Sequence, residues 1–174
     1  MSRRISLREF QENLVRRLNE TGVTDRRTLL GISAGDEPWV MSLAEAGEIL
    51  PVPPLAEVPL TQAYFRGLAN VRGTLYGVID FSAFNGGPLT PIGGQARLVL
   101  VGARHGINTA LLVGRTTGLR NPDEFDPAPA ASPDTELAPW IGHRLIDVQS
   151  KVWRQLDIAA LLVQPRFLEV GVAE

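Results

Sequence analysis

The sequence predicts a mainly β protein of short strands, with an amphipathic helix near its start and a short helix near its end. Three observations lead there. Gly and Pro number 17 and 13 among 174 residues, a frequency of chain-breaking residues that disfavours long helices and suits strands joined by turns. Hydrophobic residues make up 44% and charged residues 21%, the balance of a folded domain and not of a disordered chain. From residue 28 onward the apolar residues fall in short pieces bounded by turn residues,. The length suits one domain, or two small intimate subdomains, with a real core.

The elements follow in order. In ISLREFQENLVRRLNE (5–20), Leu7, Phe10, Leu14 and Leu18 are three or four apart and form one apolar stripe of a helix,. Ser6 and Glu9 have the spacing of a capping box, and Gly22 stands as a stop,. The opposite face carries Arg8, Arg16 and Arg17 among Glu12 and Asn13, so the stripe packs either on its own chain or on a partner. TLLGIS (28–33) reads as a strand, GDEP (35–38) as a turn, and WVMSLAEAGEIL (39–50) as a strand with a bend. PVPPLAEVP (51–59) holds four prolines in nine residues and reads as a rigid loop with little backbone hydrogen bonding,. QAYFRGLANV (62–71) and the segment after it read as two strands joined by a turn at Arg72-Gly73,. Residues 84–94 make a loose loop. RLVLVGA (97–103) is a continuous apolar run, as in a strand buried on both faces, and INTALLVG (107–114) returns from it through Arg104-His105-Gly106,. Residues 121–139 are acidic and rich in Pro and Ala, an excursion with little packing,. WIGHRLIDVQSKVWRQLDIAALL (140–162) reads as two strands and a helix beginning at Asp157. The implied division is a helical extension over 1–27, a domain over 28–163, and a tail over 164–174.

Composition removes several classes of chemistry. The net charge of −2 is unlike that of a dedicated nucleic-acid binder,. A small β-barrel that binds nucleic acid is the rival of another class, but it needs a basic face studded with aromatics, and the chain has three Trp, two Tyr and six Phe. There is no cysteine, hence no disulfide, thiolate nucleophile or Cys-based metal site,, which fits a cytoplasmic protein. No apolar run reaches the about 18 residues that cross a bilayer. The N-terminal arginines lack the apolar core of a secretory signal, and Glu9, Glu12 and Glu20 among them are unlike a mitochondrial presequence,.

A search for a catalytic centre finds little. His105 and His143 have no second ligand at helical spacing,. No nucleophile elbow or P-loop occurs; Gly114-Arg-Thr-Thr-Gly118 is too short for the latter and reads as a strand-end turn, and Lys151 is the sole lysine,. The carboxylates are scattered, and those at 123–136 sit in the Pro-rich excursion, where a dyad would be poorly held,. Asp80 follows an apolar pair, and if buried it needs a hydrogen-bonding partner. It is then structural or catalytic, and a hydrolase built on Asp80 or His143 is the remaining enzymatic alternative.

One stretch is specific. FRGLANVRGTLYGVIDF (65–81) fixes Gly67, Asn70, Arg72, Gly73, Val78, Ile79, Asp80 and Phe81 in a pattern that resembles the signature of the CheW-like domain. Upstream, WVMSLAEAGEILPVPPLAEVP resembles that family's strand, its Glu-Ile pair (here Glu48-Ile49) and the Pro-rich loop after it. Downstream, RLVLVGARHGINTALLVGRTTGL resembles the central hairpin, and RQLDIAALL the closing strand and helix. The resemblance covers about residues 28–163. The Arg-rich N-terminal helix and the length look most like the PilI-type members, which belong to pilus-linked chemosensory systems. Gly77 stands where the family usually has Pro, Gly114 where it has Asp, and Gln149-Ser150-Lys151 where it has a Gly-rich turn.

The resemblance implies two five-stranded SH3-like β-barrels packed together with a groove between them. It implies no catalysis, cofactor or metal. It implies a cytoplasmic adaptor joining the tip of a methyl-accepting chemoreceptor to the regulatory domain of a chemotaxis histidine kinase, in a type IV pilus twitching system or, alternatively, a flagellar one. It implies no nucleic acid and no membrane insertion. The partner-binding residues carried over are Glu48, Ile49, Gly67, Asn70, Arg72 and Gly73. Gly67 and Gly73 leave the backbone open to close approach. The Arg72 fork fits a carboxylate, either on a partner or on its own barrel at Glu48 or Asp80.

Overall fold

The computed structural model describes residues 27–129 and 137–172; the helix expected over 5–20 lies outside them. The chain opens with a hairpin of β1 (Leu29–Ala34) and β2 (Glu37–Ser42) and a 3-10 turn at Leu43–Glu45. Then come β3 (Ile49–Pro51), β4 (Leu55–Ala56), β5 (Phe65–Val71), β6 (Thr74–Asp80) and the one-turn helix α1 (Phe81–Phe84). The central hairpin is β7 (Arg97–Val101) and β8 (Thr109–Val113). It leads into β9 (Arg115–Arg120), β10 (Phe125–Pro127), β11 (Ile141–Asp147) and β12 (Val152–Leu156), and the described chain ends with α2 (Ile158–Leu162) and α3 (Pro165–Leu168).

The strands form two sheets, β10-β11-β12-β2-β1-β9 and β3-β7-β8-β6-β5-β4. Each has six strands, not the five expected, and among the described residues no ladder joins the terminal strands of either sheet into a closed barrel. β4 and β10 come from segments read as loops, β9 begins in the stretch read as a strand-end turn, and β3 ends the segment read as a strand with a bend. β3 and β4 lie in or beside the Pro-rich segment, and β10 lies in the acidic excursion. All three are terminal strands, and β3 and β10 end on Pro51 and Pro127. A terminal strand tolerates Pro because one side of its backbone has no ladder to fill.

Period-two alternation divides the core. On β7, Leu98 and Leu100 face the interior of the second sheet, while Val99 and Val101 join the largest cluster. On β8, Ala110 and Leu112 alternate in the same way with Leu111 and Val113. That largest cluster also takes Leu30, Ile32, Trp39 and Met41 from the first sheet, so it is the seam between the two lobes. A smaller cluster of Leu29, Val40 and Trp153 fills the interior of the first sheet. Within the run at 97–103, residues 98–101 are thus apolar throughout because both of their faces are covered, as expected,.

The end of the chain belongs to the same seam. Asp157 caps α2 by accepting from the Ala160 N–H, the helix start read from the sequence,. Residues 164–174, set apart as a tail by the sequence reading, include α3, which buries Phe167 against Phe84 with ring centroids 5.6 Å apart.

A candidate docking surface around the Arg72-Gly73 turn

The β5–β6 hairpin carries both Arg-Gly pairs. Val71 pairs with Thr74, so Arg72 and Gly73 are the two central residues of its turn, with φ of 53° and 85°. Two positive φ values in a two-residue turn match the right-handed twist of the flanking strands. Gly73 adopts this freely, whereas an L residue such as Arg72 does so at a cost of about 1–2 kcal/mol. Two contacts offset that cost. The Asn70 Oδ1 accepts from the Gly73 N–H at 2.9 Å, and the Arg72 guanidinium donates to both Glu48 carboxylate oxygens at 2.7 and 2.8 Å. Glu48 is itself fixed, because its carbonyl accepts from the Leu100 N–H at 2.8 Å just before β3.

The result is a rigid, solvent-facing fork. The Arg72 side chain is 78% exposed and the Glu48 side chain 33%. Ile49 is also exposed, as is Leu75, which pairs with Asn70 across the hairpin. Sequence reasoning missed Leu75; the signal was an apolar residue directly after the turn, on a strand whose inward positions are already taken by Tyr76 and Val78. On the same end of the molecule Glu45 faces His105 at 3.4 Å and Arg104 at 3.6 Å.

Gly67 does different work from that expected of it. It is buried, its φ is 113°, and a Cβ built on it would lie 2.2 Å from the Ala56 carbonyl oxygen. Its missing side chain admits β4 of its own chain, so that backbone is not open to a partner. Asn70 acts first on the turn. The structure therefore brings Glu48, Ile49, Asn70, Arg72 and Gly73 to one surface and leaves Gly67 inside the sheet.

The first Arg-Gly pair solves the problem of Asp80. That carboxylate is fully buried. It accepts from Arg66 Nη1 at 2.8 Å, from the Thr90 N–H at 2.7 Å and hydroxyl at 2.8 Å, and from the Ala83 N–H at 3.2 Å, which caps α1. Every donor is structural, and Arg66 also donates to the Thr90 carbonyl oxygen. Asp80 is a joint between β5, α1 and the loop that follows. His143 lies exposed on β11, and among the described residues no three acidic, His or Cys side chains cluster as a metal site.

Residues 28–166 match the family model described as the CheW-like domain. The chain belongs to the CheW-like domain family. Protein PilI of Pseudomonas aeruginosa is 29% identical over 149 residues, covering 82% of this chain and 79% of that one. The crystal structure of the scaffolding protein TtCheW from Thermoanaerobacter tengcongensis superposes with a TM-score of 0.63 at 17% identity, covering 76% of this chain and 85% of that one. The CheW-like chain is a non-catalytic scaffold of bacterial chemosensory signalling. Its departures from the family pattern are locally explained. Gly77, in place of Pro, donates its N–H to the Asn108 carbonyl at 3.1 Å, a bond Pro cannot make,. Gly114, in place of Asp, lets the Ser33 hydroxyl come within 3.0 Å of where a Cβ would sit. Ser150, in the turn that is usually Gly-rich, holds a φ of 64°.

Proposed function

We propose that this chain couples a chemoreceptor to the regulatory domain of a chemotaxis-type histidine kinase in the cytoplasm, within a chemosensory system of the type IV pilus kind. The face of the β5–β6 turn is the part that docks. The observation that carries this reading is the exposed bidentate Arg72–Glu48 pair, held on a rigid turn beside exposed Ile49 and Leu75. Such a face offers apolar area for affinity and an oriented fork for register, the usual division of labour in a protein interface. The similarity to Protein PilI supports the pilus assignment. No helix among the described residues is long and apolar enough to cross a membrane.

The test is co-sedimentation of the purified chain with a receptor signalling fragment and the kinase regulatory domain. Arg72→Glu and Leu75→Asp are expected to weaken capture at least tenfold while circular dichroism and Tm stay near those of the parent. Folded variants that still couple receptor to kinase like the parent would remove this face from the interface.

A further inference from the structure

We propose that a second surface, the basic cleft where the chain crosses from β8 to β9, docks an acidic extended segment of a partner protein. The cleft has a volume of about 480 Å³ and is lined by Arg97, Arg115, Thr116, Thr117, Arg120 and Lys151. Its cations come from three places, the start of β7, the length of β9 and the β11–β12 turn, and among the described residues no Asp or Glu lines it. This concentration stands in a chain whose net charge is −2. Like charges gathered in a concave site repel one another and favour whatever anion neutralises them.

Asp36 shares an adjoining hollow with Arg115 and Lys151, while two other nearby carboxylates are already engaged. Asp147 accepts from the Trp153 indole N–H at 2.8 Å and from the Gln149 and Lys151 N–H groups at 2.9 Å each. Glu124 accepts from Arg120 at 3.4 Å. Arg97 donates one nitrogen to the Gly94 and Ala96 carbonyls. Arg115 and Lys151 are exposed and have no ion pair among the described residues.

The shape of the cleft selects its occupant. Among the described residues β9 is the terminal strand of its sheet, and one edge of its backbone carries no ladder with them. Extended segments add to such an edge and present alternate side chains to it. Arg115 and Arg120 are five residues apart on that strand, roughly 16 Å at strand rise, a span that suits a run of carboxylates and exceeds a single phosphate. Trp153, at the floor, is 2% exposed and lies under both Arg120 and Lys151, each 5.1 Å from its ring. It offers no free face on which a nucleic-acid base could stack. The cleft is also distinct from the turn face. Arg97 begins β7, whereas the Glu48 carbonyl is bonded to Leu100, three residues or about 10 Å further along,.

The experiment uses the full chain and a fluorescein-labelled peptide of twelve residues, alternating Glu and Thr, read by anisotropy. Saturable binding is expected, weakened at least tenfold by Arg115→Glu combined with Lys151→Glu, weakened by added salt, and unchanged by Arg72→Glu. The amide signals of Thr116 and Thr117 and the Trp153 indole signal are expected to shift in 15N spectra. The proposal is overturned by absence of saturable binding, by equal affinity for the double variant, or by an equal loss in Arg72→Glu. Tighter binding of single-stranded RNA or of phosphatidylserine vesicles than of the peptide overturns it too. The Arg72 variants separate its fate from that of the receptor–kinase reading, which rests on the other face.

Discussion

Two Arg-Gly pairs sit on one hairpin, and nearly everything about them differs except their chemistry. Arg66 meets Asp80 at 2.8 Å and Arg72 meets Glu48 at 2.7 Å. The first pair is 20% and 0% exposed, the second 78% and 33%. A Cβ on Gly67 would strike the Ala56 backbone at 2.2 Å, and one on Gly73 would meet nothing within 4 Å. The same dipeptide thus serves once as an internal joint and once as a surface fork, and distance alone does not tell them apart. Burial does, because a desolvated charge left without its partner is severely destabilising, whereas a solvated ion pair contributes little to stability and is free to change partners.

The sharpest break in this comparison comes from the glycines. Gly67→Ala is expected to cost roughly 3–5 kcal/mol through backbone collision and a forced positive φ, while Gly73→Ala costs about 1 kcal/mol through φ alone. Urea melts of the two variants measure the gap, and similar losses would show that β4 yields where it appears rigid.

The arginines come next in size. Arg66→Ala is expected to remove about 3 kcal/mol, since Asp80 keeps its Thr90 and Ala83 donors but loses its counter-charge,. Arg72→Ala is expected to remove less than about 1 kcal/mol. If thermal denaturation ranks them the other way, exposure is the wrong discriminator.

A third carboxylate, Asp147, sharpens the scale at its weak end. The Trp153 indole N–H, followed by the Lys151 and Gln149 N–H groups and the nearby Arg120 charge, holds its carboxyl below the ordinary 3.8 against the opposing effect of desolvation. A lowered folded value means that the ionised form stabilises the fold above pH 3.8, and that this contribution fades as pH falls through the folded value. The Tm difference between the parent and Asp147→Asn should therefore be steady near neutrality and shrink below about pH 4. A difference that instead grows with acidity would contradict this assignment.

Much of this was legible in the sequence, and the exceptions share causes. The hairpins at Arg72-Gly73 and at 104–106, the doubly buried run at 97–103 and the Asp157 cap all follow from local pattern, because each is decided by residues close together in the chain. The missed strands β4, β9 and β10 are all terminal strands; β4 and β10 lie in Pro-rich segments, where Pro signals a loop while only one side of the backbone must pair, and β9 begins in the Gly114–Gly118 stretch read as a strand-end turn. The partner of Asp80 was hidden for another reason. Counted from the turn, Arg66 falls opposite Ile79, but the register shifts between Phe65 and Gly67, so that Phe65 takes Ile79 and Arg66 is the extra residue of a bulge,. A bulge re-aims a side chain without leaving a mark beyond the glycine that permits it. The basic cleft was invisible for a plainer reason, since Arg97, Arg115, Arg120 and Lys151 are scattered over 55 positions and only the fold gathers them.

The order of the strands sets a timetable. Every strand of the second sheet lies between residues 49 and 113, whereas the first sheet is split, with β1 and β2 before that segment and β9 to β12 after it. The two halves of the split sheet meet in the parallel ladder that sets Arg154 beside Trp39. A chain leaving the ribosome can complete the inserted sheet and cover Trp39 and Met41 of the β1–β2 hairpin, while Val40 on the opposite face waits for Trp153 of β12. Long-range closures of this kind are slow, and the interval leaves apolar surface exposed to aggregation. The Arg72-Gly73 turn, held by Asn70 of its own sheet and by Glu48 just before β3, is finished before the other lobe is closed.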